Sequence, residues 1–66
     1  MKLTPRELEV LGYIIEGMTT REIAEKMSVS DNAVEGFRKS LFEKTGARNA
    51  AQLVSYTYEK NLLGRK

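Results

Sequence analysis

The chain has 66 residues, with 11 Lys and Arg against 9 Asp and Glu, and it contains no Cys, His or Trp. A chain this short buries only about 60% of the surface its unfolded form exposes, which leaves one modest core and no deep catalytic cavity. Without Cys or His there are no disulfides, thiolate metal sites, common zinc ligands or usual general bases, so no enzyme, metal or cofactor is expected.

No apolar run approaches the roughly 20 residues that span a bilayer, and no secretory signal opens the chain. The expectation is a soluble, cytoplasmic protein with no membrane partner. The net charge of +2 is unevenly spread: residues 1–27 carry four cations against five acids, and residues 28–66 seven against four. A polyanion-binding face produces that asymmetry, and so does an ordinary solvated surface.

Thr4-Pro5-Arg6-Glu7 is a helix start with three agreeing parts. Thr4 caps, Pro5 takes the first helical position where its missing N–H costs nothing, and Glu7 completes a capping box. Leu3 and Leu8 form a hydrophobic staple across it. Apolar residues at Leu8, Leu11, Ile14 and Ile15, with Val10 beside them, give one broad buried face, and Gly17 can end the helix in the left-handed conformation. The spacing predicts a scaffold helix over about 5–16.

Thr19-Thr20-Arg21-Glu22 repeats the capping box. Ile23, Ala24 and Met27 then make the narrow stripe of a short helix over 20–27, with Ala24 small enough for another helix to approach closely. Ser28-Val29-Ser30 is polar around one apolar anchor. Ser30 can cap a further helix by accepting from the N–H groups near Asn32 and Ala33, and Asp31 suits the positive end of its dipole.

That third helix is predicted over 31–45, stopped by Gly46. Val34, Phe37, Leu41 and Thr45 fall on its core side, while Asn32, Glu35, Gly36, Lys39 and Glu43 fall opposite, with Asp31 and Phe42 along the margin. A short helix, a turn of three or four residues and a longer helix form a helix-turn-helix. In that arrangement the second helix enters the DNA major groove and its N-terminal residues reach base edges, which points to Asn32, Glu35, Gly36 and Lys39. Arg38, Lys44 and Arg48 flank them and suit phosphates, with Thr20, Arg21, Ser28 and Ser30 as further donors.

A last helix is predicted over 50–60. Asn49 and Gln52 read as a capping box, and Ala50, Leu53, Val54 and Thr57 as the inward stripe. Asn61 can end it in the left-handed conformation, and Leu62 or Leu63 can fold back on the core. Its outward side is apolar for so small a domain: Ala51, Ser55 and Tyr58 on one flank, Tyr56 on the other. Either one tyrosine closes the core while the other lies flat on the surface, or this side is a helix-to-helix dimer contact of small area, with the free domain a monomer. The fold class is therefore all-α, a compact four-helix domain containing a helix-turn-helix.

The segments LTPRELEVL at 3–11, glycine at 17, TREIAEKM at 20–27, SVS at 28–30 and SLFEKTGARN at 40–49 carry a resemblance over about the whole chain. It resembles the C-terminal DNA-binding domain of the LuxR-type transcription regulators, in their NarL-like response-regulator branch. The resemblance implies four helices, the third reading DNA and the fourth often pairing two copies. It also implies that residues 1–66 are the effector domain of a longer two-component regulator whose receiver domain lies outside this stretch.

Two departures from the family pattern fall on the reading helix. Where the family has Thr-Val-Lys-x-His, this chain has Ala33-Val34-Glu35-Gly36-Phe37. Glu35 replaces a cation and admits three readings: acceptor for a cytosine N4 amine, i, i+4 partner that aims Lys39, or mark of weakened DNA binding. Gly36 costs a helix interior about 1 kcal/mol relative to Ala, and is either a point of close approach to the groove or a tolerated weak spot. Phe37 is expected in the core.

The expected partners are double-stranded DNA and a second copy of the chain on DNA. A protein-interaction module that keeps the fold and grips a partner such as RNA polymerase is the alternative from another class. A sigma-factor promoter-reading domain is a DNA-binding alternative, disfavoured by the LTPRE start and the capped fourth helix.

Overall fold

The computed structural model describes residues 3–62. Four helices follow in order: α1 (Pro5–Ile15), α2 (Thr20–Met27), α3 (Asp31–Thr45) and α4 (Ala50–Lys60). The predicted elements are all present, with α1 one residue shorter because Glu16 serves as its C-cap.

Each helix begins at a side-chain cap that satisfies N–H groups the helix itself leaves open. Thr4 and Glu7 exchange bonds across the first turn of α1, as do Thr19 and Glu22 across that of α2, with backbone-to-carboxylate distances of 2.8 Å in both. Ser30 Oγ accepts from Ala33 N–H at 3.1 Å to open α3. For α4 the expected reciprocal box is only half formed. Asn49 Oδ1 accepts from Gln52 N–H, but Gln52 Oε1 reaches one residue further back, to Arg48 N–H at 2.8 Å. The longer reach satisfies a loop donor.

Helix ends explain the turns. Gly46 takes φ 75° after α3, where a side chain would be strained, and Asn61 takes the left-handed cap of α4 as anticipated. Ser28 is less expected. It closes α2 at φ 58°, ψ 44°, a left-handed conformation in a non-glycine residue, and this lets the chain reverse within three residues before Ser30.

α3 is the central element, packing extensively against α1 and α2 and more lightly against α4. Val10, Leu11 and Ile14 of α1, Ile23, Ala24 and Met27 of α2, Val34 and Leu41 of α3, and Leu53 of α4 form one continuous core. Several expected core positions lie at its edge. Leu8, Ile15, Phe37, Thr45 and Val54 are half-buried, and Ala50, the first residue of α4, is exposed, although Leu53 three residues on is fully buried. Leu62 does pack on the core, while Leu63 lies outside the described residues.

α1 and α3 are also joined by polar bonds. Glu7, only 4% exposed, accepts through Oε1 from Lys44 Nζ at 2.8 Å and from Thr4 N–H, and through Oε2 from the Ser40 hydroxyl. These donors, Lys44 first, then Ser40 and Thr4, outweigh the cost of burial and hold the Glu7 carboxyl down at about 2 from its usual 4.5. The capping glutamate of α1 therefore fixes how α3 sits against it, a role beyond the scaffold reading of the first helix.

Candidate nucleic-acid interface

α3 runs 15 residues, about 22 Å of helix, and its core side is pinned at Val34 and Leu41. Asn32, Glu35, Gly36 and Lys39, at i, i+3, i+4 and i+7, are all exposed along the opposite side. The four residues assigned to base edges thus share one solvent-facing strip in the N-terminal two-thirds of the helix. The B-DNA major groove, about 12 Å wide, admits a helix presented in this way.

The residues assigned to phosphates separate into two kinds. Arg21 and Arg48 are exposed and carry no side-chain partner among the described residues. Ser28 and Ser30 are exposed at either end of the turn. Arg38 is half-buried, its guanidinium 5.9 Å from the centre of the Phe42 ring one turn on, so a cation–π contact lays it along α3. Thr20 and Lys44 are engaged within the domain: the Lys44 ammonium in the Glu7 pair, and the Thr20 hydroxyl in a bond to Glu35.

That last bond is the principal addition to the sequence reading. Thr20 Oγ1, on the first residue of α2, donates to Glu35 Oε2, on the fifth residue of α3, at 2.8 Å. The i, i+4 ion pair of Glu35 with Lys39 is not formed among the described residues. No periodicity within one helix could signal a bond between residues 15 apart. Only the crossing of the two helices brings Thr20 and Glu35 together.

Outward residues of α4 lie as expected at Ala51, Ser55 and Tyr58, the last 66% exposed, whereas Tyr56 is half-buried. A shallow groove beside them is walled by Gly46 and Ala47 of the α3–α4 loop and by Ala51, Gln52, Ser55 and Tyr56 of α4. Among the described residues no helix is long and apolar enough to cross a membrane.

The family described as "Bacterial regulatory proteins, luxR family" matches residues 1–57. A probable transcriptional regulator ycf29 of Cyanophora paradoxa is 41% identical over 63 residues, 96% of this chain and 30% of the relative. The transcriptional regulatory protein MctR of Rhizobium johnstonii is 35% identical over 63 residues, 96% of this chain and 29% of the relative. The oxygen regulatory protein NreC of Staphylococcus aureus is 41% identical over 61 residues, 92% of this chain and 28% of the relative. The chain therefore spans less than a third of the length of these relatives. No solved structure gives a significant match. With a capped helix-turn-helix, an open strip along its second helix and this match over most of its length, the chain belongs to the luxR family of bacterial regulatory proteins, as a domain of DNA-binding transcription regulation rather than of an enzyme class.

Proposed function

We propose that this domain binds double-stranded DNA sequence-specifically, with α3 in the major groove, as the effector domain of a cytoplasmic two-component response regulator. The observation that carries the reading is the exposed strip of Asn32, Glu35, Gly36 and Lys39, presented by a helix whose other side is locked into the core. Asn32, Glu35 and Lys39 supply acceptors and donors for base edges, and Gly36 leaves room for the helix to settle. Arg21, Arg38 and Arg48, with the Ser28 and Ser30 hydroxyls, meet phosphates and fix the register. Lys44 is assigned to bracing α3 through Glu7. The much greater length of NreC and MctR, both named as regulatory proteins, fits a regulated parent chain.

Two copies pairing through Ala51, Ser55, Tyr56 and Tyr58 of α4 would occupy half-sites about one helical turn apart. Selection of bound duplexes from a randomised pool tests the reading. The expected outcome is a recurrent motif repeated at that spacing. Recovery of duplexes with no shared motif would contradict sequence-specific binding, and a motif without a repeat would contradict pairing.

A further inference from the structure

We infer that Thr20 is a positioning residue that holds Glu35 as a single-acceptor reader of cytosine in the operator half-site. The inference rests on the groove-reading role of α3 proposed above and specifies what one position of that strip recognises. Glu35 Oε2 is taken up by the Thr20 hydroxyl at 2.8 Å, while Oε1 accepts no hydrogen bond among the described residues. The side chain is exposed, so Oε1 meets whatever docks on α3.

The chemistry of base edges then selects the ligand. An ionised carboxylate oxygen only accepts. In the major groove cytosine offers the N4 amine as its donor, and a carboxylate accepts from it well. Guanine presents two acceptors, N7 and O6, and thymine presents O4 and a methyl group; each repels or fails to pair with an anionic oxygen. Adenine sets its N6 amine between two acceptors, its own N7 and the O4 of the paired thymine. The cytosine amine has an acceptor, guanine O6, on one side only, so the anionic oxygen is repelled less at cytosine. Cytosine is the base the outward oxygen fits.

Thr20 matters because a free glutamate on a helix surface samples several rotamers, and an acid near phosphates swings away from them. The bond from α2 ties the carboxylate to the helix-turn-helix crossing, and with no ion pair joining it to Lys39 among the described residues the two side chains address separate base positions. An acid whose charge opposes the phosphates is thereby turned into discrimination.

The test uses duplexes recovered by the intact chain from a randomised pool, each then altered singly at every position of the half-site. Wild-type protein is expected to prefer cytosine at one position by about tenfold, the usual scale for losing one base contact. Glu35→Ala should abolish that preference while tightening binding to the non-cytosine duplexes several-fold, because it removes a negative charge from the interface. Thr20→Val should reduce the preference to about twofold or less, and Thr20→Ser, which keeps the hydroxyl, should retain most of it. In the Glu35→Ala background, Thr20→Val should change discrimination no further, since Thr20 acts through Glu35.

A Thr20→Val variant that weakens all duplexes alike and keeps the cytosine preference would overturn the inference and make Thr20 a phosphate donor. Discrimination unaltered by Glu35→Ala, in a protein that still selects a motif, would overturn it while leaving the groove-reading role of α3 standing. Failure of the wild-type chain to select any motif would bring down both.

Discussion

A methyl group placed on Gly36 would meet no atom within 4 Å beyond its chain neighbours and the backbone of its own helix, so nothing packed against that side requires glycine there. Gly36→Ala is expected to stabilise the free domain by about 1 kcal/mol, raising its melting temperature by several degrees in a circular-dichroism scan. If the same variant binds its selected duplex less tightly, the glycine serves close approach to the groove; unchanged binding makes it a tolerated weak spot. Glu7 is the opposite case, a residue whose partners dictate its type. Its folded pKa, about 2, lies below the usual 4.5, so the stability it contributes is fully present above pH 4.5 and is lost as pH falls toward 2. Glu7→Gln should flatten that acid-side loss and lower stability at neutral pH by about 1–2 kcal/mol, measured by denaturant titration. The capping role of Glu7 was legible in Thr4-Pro5-Arg6-Glu7 because a capping box is local. Its bonds to Ser40 and Lys44, 33 and 37 residues away, were not, because they depend on how α1 crosses α3.

At the scale of the element, all four helices could be read from their starts. Ser, Thr and Asn caps followed by apolar residues at helical spacing are signals contained within one turn, and the structure realises each. What escaped was the edge of the core. Ala50 and Leu53 lie on one stripe of α4, yet only Leu53 is buried, because how far a helix end is covered depends on its neighbours and not on its own spacing. The turn between α2 and α3 was legible as polar and short, but the left-handed Ser28 was not, because serine carries no preference for that conformation. α4 also carries the prediction about pairing. Tyr58→Ala should leave binding to a single half-site unchanged and reduce binding to a two-half-site duplex by several-fold, measured by gel shift against protein concentration. Equal losses on both duplexes would place Tyr58 outside the pairing surface.

For the molecule as a whole, helix packing decides which charges face outward. The second half of the chain is the more basic, as a polyanion-binding domain requires, but the cations are not equivalent once folded. Lys44 is drawn into the Glu7 pair and Arg38 leans on Phe42, whereas Arg21, Lys39 and Arg48 remain exposed. Of the cations assigned to DNA, Arg21, Arg38 and Arg48 remain for phosphates, about three per subunit, and Lys39 alone for base edges, so few contacts must carry specificity. The proposed pairing of two copies would double them. Lys39 is the exposed cation on the reading strip, so Lys39→Ala should weaken the selected duplex by about 1–3 kcal/mol and scrambled duplexes much less.

The most direct test of α3 as a DNA-reading helix is a salt titration of binding to the selected duplex, run beside a scrambled duplex. For two subunits each neutralising about three phosphates, log affinity should fall against log salt with a slope near −5, and the selected duplex should stay tighter at every salt concentration. A flat slope, or equal affinity for both duplexes throughout, would contradict the account.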